Sequence, residues 1–101
     1  MLSKTYAKNR KTCKVTFNIP PEATKGAKAV TLVGDFNNWD HALTPLKAKA
    51  DGSWEVSLSL EAGREYHFRY LLDGEAWEND WNADKYVPSP YGDSDNSVVI
   101  V

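Results

Sequence analysis

At 101 residues, 42% apolar, 26% charged and 12% aromatic, the chain has the size of one domain and enough apolar content to close a core, which excludes general disorder. Its net charge of −2 argues against a general nucleic-acid binder, and no apolar run approaches the roughly 20 residues that span a bilayer. A lone cysteine, Cys13, excludes an internal disulfide; together with an N-terminus that lacks the apolar stretch of a secretory signal, it predicts a reducing, cytoplasmic setting.

Residues 1–11 carry Lys4, Lys8, Arg10 and Lys11 and no acid, and read as a flexible basic leader. Residues 12–101 read as a single domain. Its first strand places Cys13, Val15, Phe17 and Ile19 on one face and Lys14, Thr16 and Asn18 on the other, the period-two alternation of a half-buried strand. Pro20-Pro21 ends it, because proline donates no ladder hydrogen bond. Ala29–Val33 make a second strand. Asp51-Gly52 then predicts a hairpin turn into a strand with Trp54, Val56, Leu58 and Leu60 inward. Ala62-Gly63 turns the chain into the next strand, with Tyr66, Phe68, Tyr70 and Leu72 on one face and His67, Arg69 and Leu71 on the other. Asp73-Gly74 is a further hairpin signal, residues 79–96 form one long irregular segment, and Val98–Val101 close the chain as a strand. No stretch offers helical periodicity. The pattern predicts an all-β sandwich of about seven short antiparallel strands.

Catalytic and metal signatures are absent from this pattern. There is no nucleophile elbow, phosphate loop or Cys-x-x-Cys, and His41 and His67 fall on different elements. Asp80-x-Asn82-x-Asp84 opens like a calcium loop, but Lys85 stands where that loop needs Gly and Tyr91 where it needs Glu, so these residues read as solvated loop acids. No enzyme activity, cofactor or metal is expected.

The informative constellation is aromatic. Trp39 sits in Gly34-Asp35-Phe36-Asn37-Asn38-Trp39-Asp40, and Trp77 in Asp73-Gly74-Glu75-Ala76-Trp77-Glu78-Asn79-Asp80. An indole among amides and acids suits a sugar site: the C–H face of a pyranose stacks on the ring while Asn and Arg side chains bond its hydroxyls. The same two rings could instead plug the ends of the sandwich. Trp54 belongs to the inward set and reads as core. Trp81 reads either as a third platform or as loop packing.

Val30–Trp39, Asp51-Gly52-Ser53-Trp54, Tyr66–Gly74 and Asn96-Ser97-Val98-Val99 together resemble the isoamylase N-terminal, early-set immunoglobulin-like domain, which is also the family 48 carbohydrate-binding module. Relatives include the glycogen-binding domain of the AMP-activated protein kinase beta subunit and the N-terminal modules of branching and debranching enzymes. The resemblance covers roughly residues 12–101. It implies an early-set immunoglobulin-like sandwich that binds α-1,4-glucan of the glycogen or starch type, with Trp39 and Trp77 as the sugar platform. Arg69 falls where the kinase-subunit module has its basic contact residue, and Asn96 and Ser94 match its polar contacts. Tyr91 stands where that module inserts a leucine. A glycogen-metabolism enzyme or kinase-like subunit is the protein partner the resemblance adds; nucleic acid and membrane are not expected. The alternative is a regulatory protein–protein interaction module of the same fold that has lost sugar binding.

Overall fold

The computed structural model describes residues 2–24, 26–89 and 95–101. The chain forms β1 (Leu2–Tyr6), β2 (Thr12–Ile19), a single helical turn (Pro21–Thr24), β3 (Val30–Gly34), a 3₁₀ turn (Asp35–Asn37), β4 (Lys47–Ala48), β5 (Trp54–Glu61), β6 (Glu65–Leu72), β7 (Ala76–Glu78), β8 (Lys85–Pro88) and β9 (Asp95–Ile100). All pairings are antiparallel. One sheet runs β1-β2-β5-β4 and the other β3-β6-β9-β8, with β7 added to β6 beyond the end of β9. This is the all-β sandwich expected. Among the described residues no helix is long and apolar enough to cross a membrane.

Each alternating segment places its apolar set between the sheets. Cys13, Val15, Phe17 and Ile19 are buried, and they lie opposite Leu60, Leu58, Val56 and Trp54 in the β2–β5 register. Tyr66, Phe68, Tyr70 and Leu72 of β6 face them from the second sheet. Phe17 meets Phe68 edge-on at 5.1 Å and Phe36 at 5.6 Å. Burying each such ring stabilises the fold by about 1.5–3 kcal/mol. Trp54 is half-buried and packs on this core, in keeping with its inward position.

The hairpins use the residues their geometry requires. Asp73 and Gly74 both hold positive φ (51° and 69°), and Glu75 N–H donates to the Leu72 carbonyl, the primed turn that matches strand twist. Asp51 accepts hydrogen bonds from the Ser53 hydroxyl and main-chain N–H, which hold its carboxyl below the ordinary value.

The strands number nine among the described residues, against about seven expected. β4 and β7 are two and three residues long, too short for alternation to reveal. The basic leader is corrected: Leu2–Tyr6 form an edge strand on β2, and Lys4 Nζ lies 2.6 Å from Asp84 Oδ2. Its residues are half-buried at most, so one-sequence patterning carries little apolar signal there. The long irregular segment is corrected in the same way, since Lys85–Pro88 add an edge strand to β9.

The acids of that segment are not all solvated. Asp80 is 2% exposed; its Oδ2 accepts the Tyr70 hydroxyl at 2.8 Å and its Oδ1 the Asn82 N–H at 2.8 Å. Burial, reinforced by the Asp80 charge, pushes the Tyr70 hydroxyl well above the ordinary phenol range, so it stays a donor to this carboxylate. Among the described residues no group of three or more His, Cys, Asp or Glu is placed to hold a metal ion.

Candidate functional site

The outward face of the second sheet carries an unusual combination. His67, Arg69 and Leu71 of β6 point there, with Val33 of β3 opposite Arg69, Val98 of β9 opposite His67, and Trp77 of β7 opposite Leu71. Val33, Leu71 and Val98 are buried although they stand outside the inter-sheet core. Residues 38–43 loop out after β3 and return beside it, where Leu32 N–H donates to the Thr44 carbonyl at 2.8 Å.

The start of this loop is built residue by residue. Gly34 is in extended backbone, and a Cβ there would lie 2.5 Å from the His67 carbonyl oxygen and 2.8 Å from Phe68 Cβ. Only glycine allows β3 to approach β6 so closely at its end. Phe36 turns down toward the core. Asn37 is buried and closes the turn: its Oδ1 accepts the Gly34 N–H at 3.0 Å, and its Nδ2 donates to the Leu32 carbonyl and to Thr44 Oγ1. Asn38 and Trp39 then adopt the left-handed conformation, at φ 58° and 57°. Asn tolerates this; a bulky Trp does so at a cost of about 1–3 kcal/mol, and only where its surroundings over-determine it.

Three bonds do so here. Trp39 N–H donates to the Gly34 carbonyl at 2.9 Å, Asp40 N–H to the Asn37 carbonyl at 3.1 Å, and the Trp39 indole Nε1–H to Asp35 Oδ1 at 2.9 Å. The other oxygen of Asp35 accepts the His67 main-chain N–H at 2.7 Å, so one carboxylate ties the half-buried Trp39 ring to β6. Asp35→Ala is expected to cost about 1–2 kcal/mol and to shift the Trp39 emission, because both donors lose their acceptor. Thermal unfolding and the fluorescence spectrum of the variant check this; an unchanged spectrum would show that the carboxylate does not orient the ring.

Trp77 is 43% exposed, and the His41 ring stands edge-on to it with centroids 5.2 Å apart. His41 comes from the loop that begins with Trp39, so one loop supports both rings. Arg69 Nε donates to Asn96 Oδ1 at 2.8 Å. Asn96 is only 5% exposed, yet no buried side-chain nitrogen or oxygen among the described residues lacks a partner.

Of the six residues singled out in the sequence, Trp77, Arg69 and Asn96 lie on this face, with Arg69 and Asn96 joined as one unit, and Trp39 is tied to β6 through Asp35. Ser94 and Tyr91 lie outside the described residues. Sequence reasoning missed Asp35 and His41. Asp35 could have been found from its spacing, four residues before a Trp in a turn, whereas nothing local marks His41. Trp81, open between a third platform and loop packing, is 53% exposed.

The sequence profile described as carbohydrate-binding module 48 (isoamylase N-terminal domain) matches residues 24–92. The chain is also similar to proteins named 1,4-alpha-glucan branching enzyme. That of Novosphingobium aromaticivorans is 39% identical over 49 residues, covering 48% of this chain and 7% of that enzyme. That of Aquifex aeolicus is 40% identical over 57 residues (54% and 9%), and that of Nitrobacter winogradskyi 42% identical over 43 residues (42% and 6%). The chain thus matches less than a tenth of the length of each of these relatives.

Proposed function

The chain belongs to the carbohydrate-binding module 48 (isoamylase N-terminal domain) family, and on that premise we propose that it is a non-catalytic module whose outward sheet face binds α-1,4-glucan. The observation that carries the reading is Trp77: a large ring held half-open to solvent, braced by His41, on the face that also presents the Arg69–Asn96 pair. Glucose rings stack on Trp77 and Trp39, burying C–H faces against the indoles at about 25 cal/mol per Å². Asn96 donates to sugar hydroxyls through Nδ2, while Arg69 holds its Oδ1. The names of the similar enzymes support α-1,4-glucan as the sugar.

An open face of two rings binds weakly, with a Kd of about micromolar to millimolar, corresponding to roughly −8 to −4 kcal/mol. A polymer compensates by offering many sites. The test is titration with maltoheptaose followed by tryptophan emission, with a β-1,4-linked glucan oligomer as control. A saturable change for the α-linked sugar alone is expected. Absence of any response, together with unretarded migration through a glycogen-containing gel, overturns the reading and leaves the protein–protein interaction module in its place.

A further inference from the structure

Trp81 is the most exposed aromatic ring among the described residues, at 53%. Its exposure is not that of a loose loop. The residue before it is locked: Asp80 N–H donates to Ser97 Oγ at 3.0 Å, the Asp80 carbonyl accepts the Tyr86 hydroxyl, and the carboxylate holds Tyr70 and the Asn82 N–H. Ser97 Oγ in turn donates to Asn79 Oδ1 at 2.8 Å. A backbone fixed on both sides presents the indole outward with little ordering entropy left to lose on contact, which is the economy of a preorganised site.

The surroundings indicate what it contacts. Asn82, the next residue, is also exposed, and its side-chain amide has no hydrogen-bond partner among the described residues. Asp80 is buried and Asp84 is paired with Lys4 at 2.6 Å, so neither presents a free charge beside the ring, and a neutral polyhydroxy ligand is the match. Trp77 is four residues away, so the two backbones lie at most about 14 Å apart.

We propose that Trp81, with Asn82, is an auxiliary stacking contact that engages the α-glucan chain where it runs on past Trp77. The proposal rests on the glucan reading above and adds a length dependence to it. Short chains end on the primary face; longer ones gain the second ring.

The experiment compares maltotriose and maltoheptaose on wild type, Trp81→Ala, Trp81→Tyr and Trp77→Ala by calorimetry. Trp81→Ala is expected to bind maltotriose within about twofold of wild type and maltoheptaose about fivefold more weakly, and Trp81→Tyr to recover most of that loss. Trp77→Ala loses affinity for both sugars. Equal maltoheptaose affinities for wild type and Trp81→Ala overturn the auxiliary contact while the primary site stands. If they are equal and Trp81→Ala alters the elution volume of the protein, Trp81 belongs to a protein contact and the proposal is overturned. If wild type binds neither sugar, the glucan reading fails and the auxiliary contact with it.

Discussion

Trp77→Ala is expected to weaken maltoheptaose binding by about 60-fold. A sugar stacked on this indole removes on the order of 100 Å² of apolar surface from water, and at about 25 cal/mol per Å² that amounts to roughly 2.5 kcal/mol. The ring is 43% exposed, so the fold depends on it little; removing its contacts with His41 costs about 1 kcal/mol at most, or 4–8 °C in Tm. The separation of the two effects makes Trp77 a cleaner probe than Trp39. Trp39 is half-buried, holds a left-handed backbone and donates to Asp35, so its truncation disturbs binding and stability together. Calorimetric titration and a melting curve on the same Trp77→Ala preparation decide the matter. Wild-type affinity in a folded variant would remove Trp77 from the site.

The second large effect is on stability. Gly34→Ala is expected to lower Tm by about 12–24 °C, corresponding to some 3 kcal/mol. The added carbon meets the His67 carbonyl at 2.5 Å and Phe68 Cβ at 2.8 Å. Both belong to the central strand of the second sheet, and neither can move as a flexible side-chain end would. The β3–β6 pair has to part at this point, and the Asp35 bonds to Trp39 and to the His67 N–H part with it. Gly34→Ala therefore weakens glucan binding as well, even where the variant remains folded. A loss of under about 4 °C would show that the sheet yields more easily than the packing implies. Against a total of about 5–15 kcal/mol for a domain, the expected cost is a large share.

Most of the sandwich was readable before the structure. Cys13, Val15, Phe17 and Ile19, and Tyr66, Phe68, Tyr70 and Leu72, alternate with polar partners, and the structure buries both sets. Asp73-Gly74 marked its hairpin because the turn needs two positive φ values. The edge strands were not readable. β1 and β8 lie at sheet edges and bury no residue fully, so they carry little apolar alternation, and a strand without it looks like a leader or a loop.

The site was readable in its parts rather than its assembly. Trp39 and Trp77 stood out because a large ring among Asn, Asp and Glu is an odd neighbour. Leu71 and Val33 did not, since each looks like an ordinary strand residue, and only the strand register places them on the face that carries Arg69 and Trp77. Asp80 was misread as a solvated acid because its partner, the Tyr70 hydroxyl, is reached through the fold and not along the chain.

The sequence by itself determined the alternating strands, the turns and the family, because each rests on patterns within short runs: period-two polarity, glycine at positive φ, and for the family the combination of Val30–Trp39, Asp51–Trp54, Tyr66–Gly74 and Asn96–Val99. Tertiary structure alone decided that Arg69 holds Asn96, that His41 braces Trp77, and that Asp35 ties Trp39 to β6. Those contacts join residues from different strands and loops. Their energy depends on distance and orientation in space, and no local pattern records either.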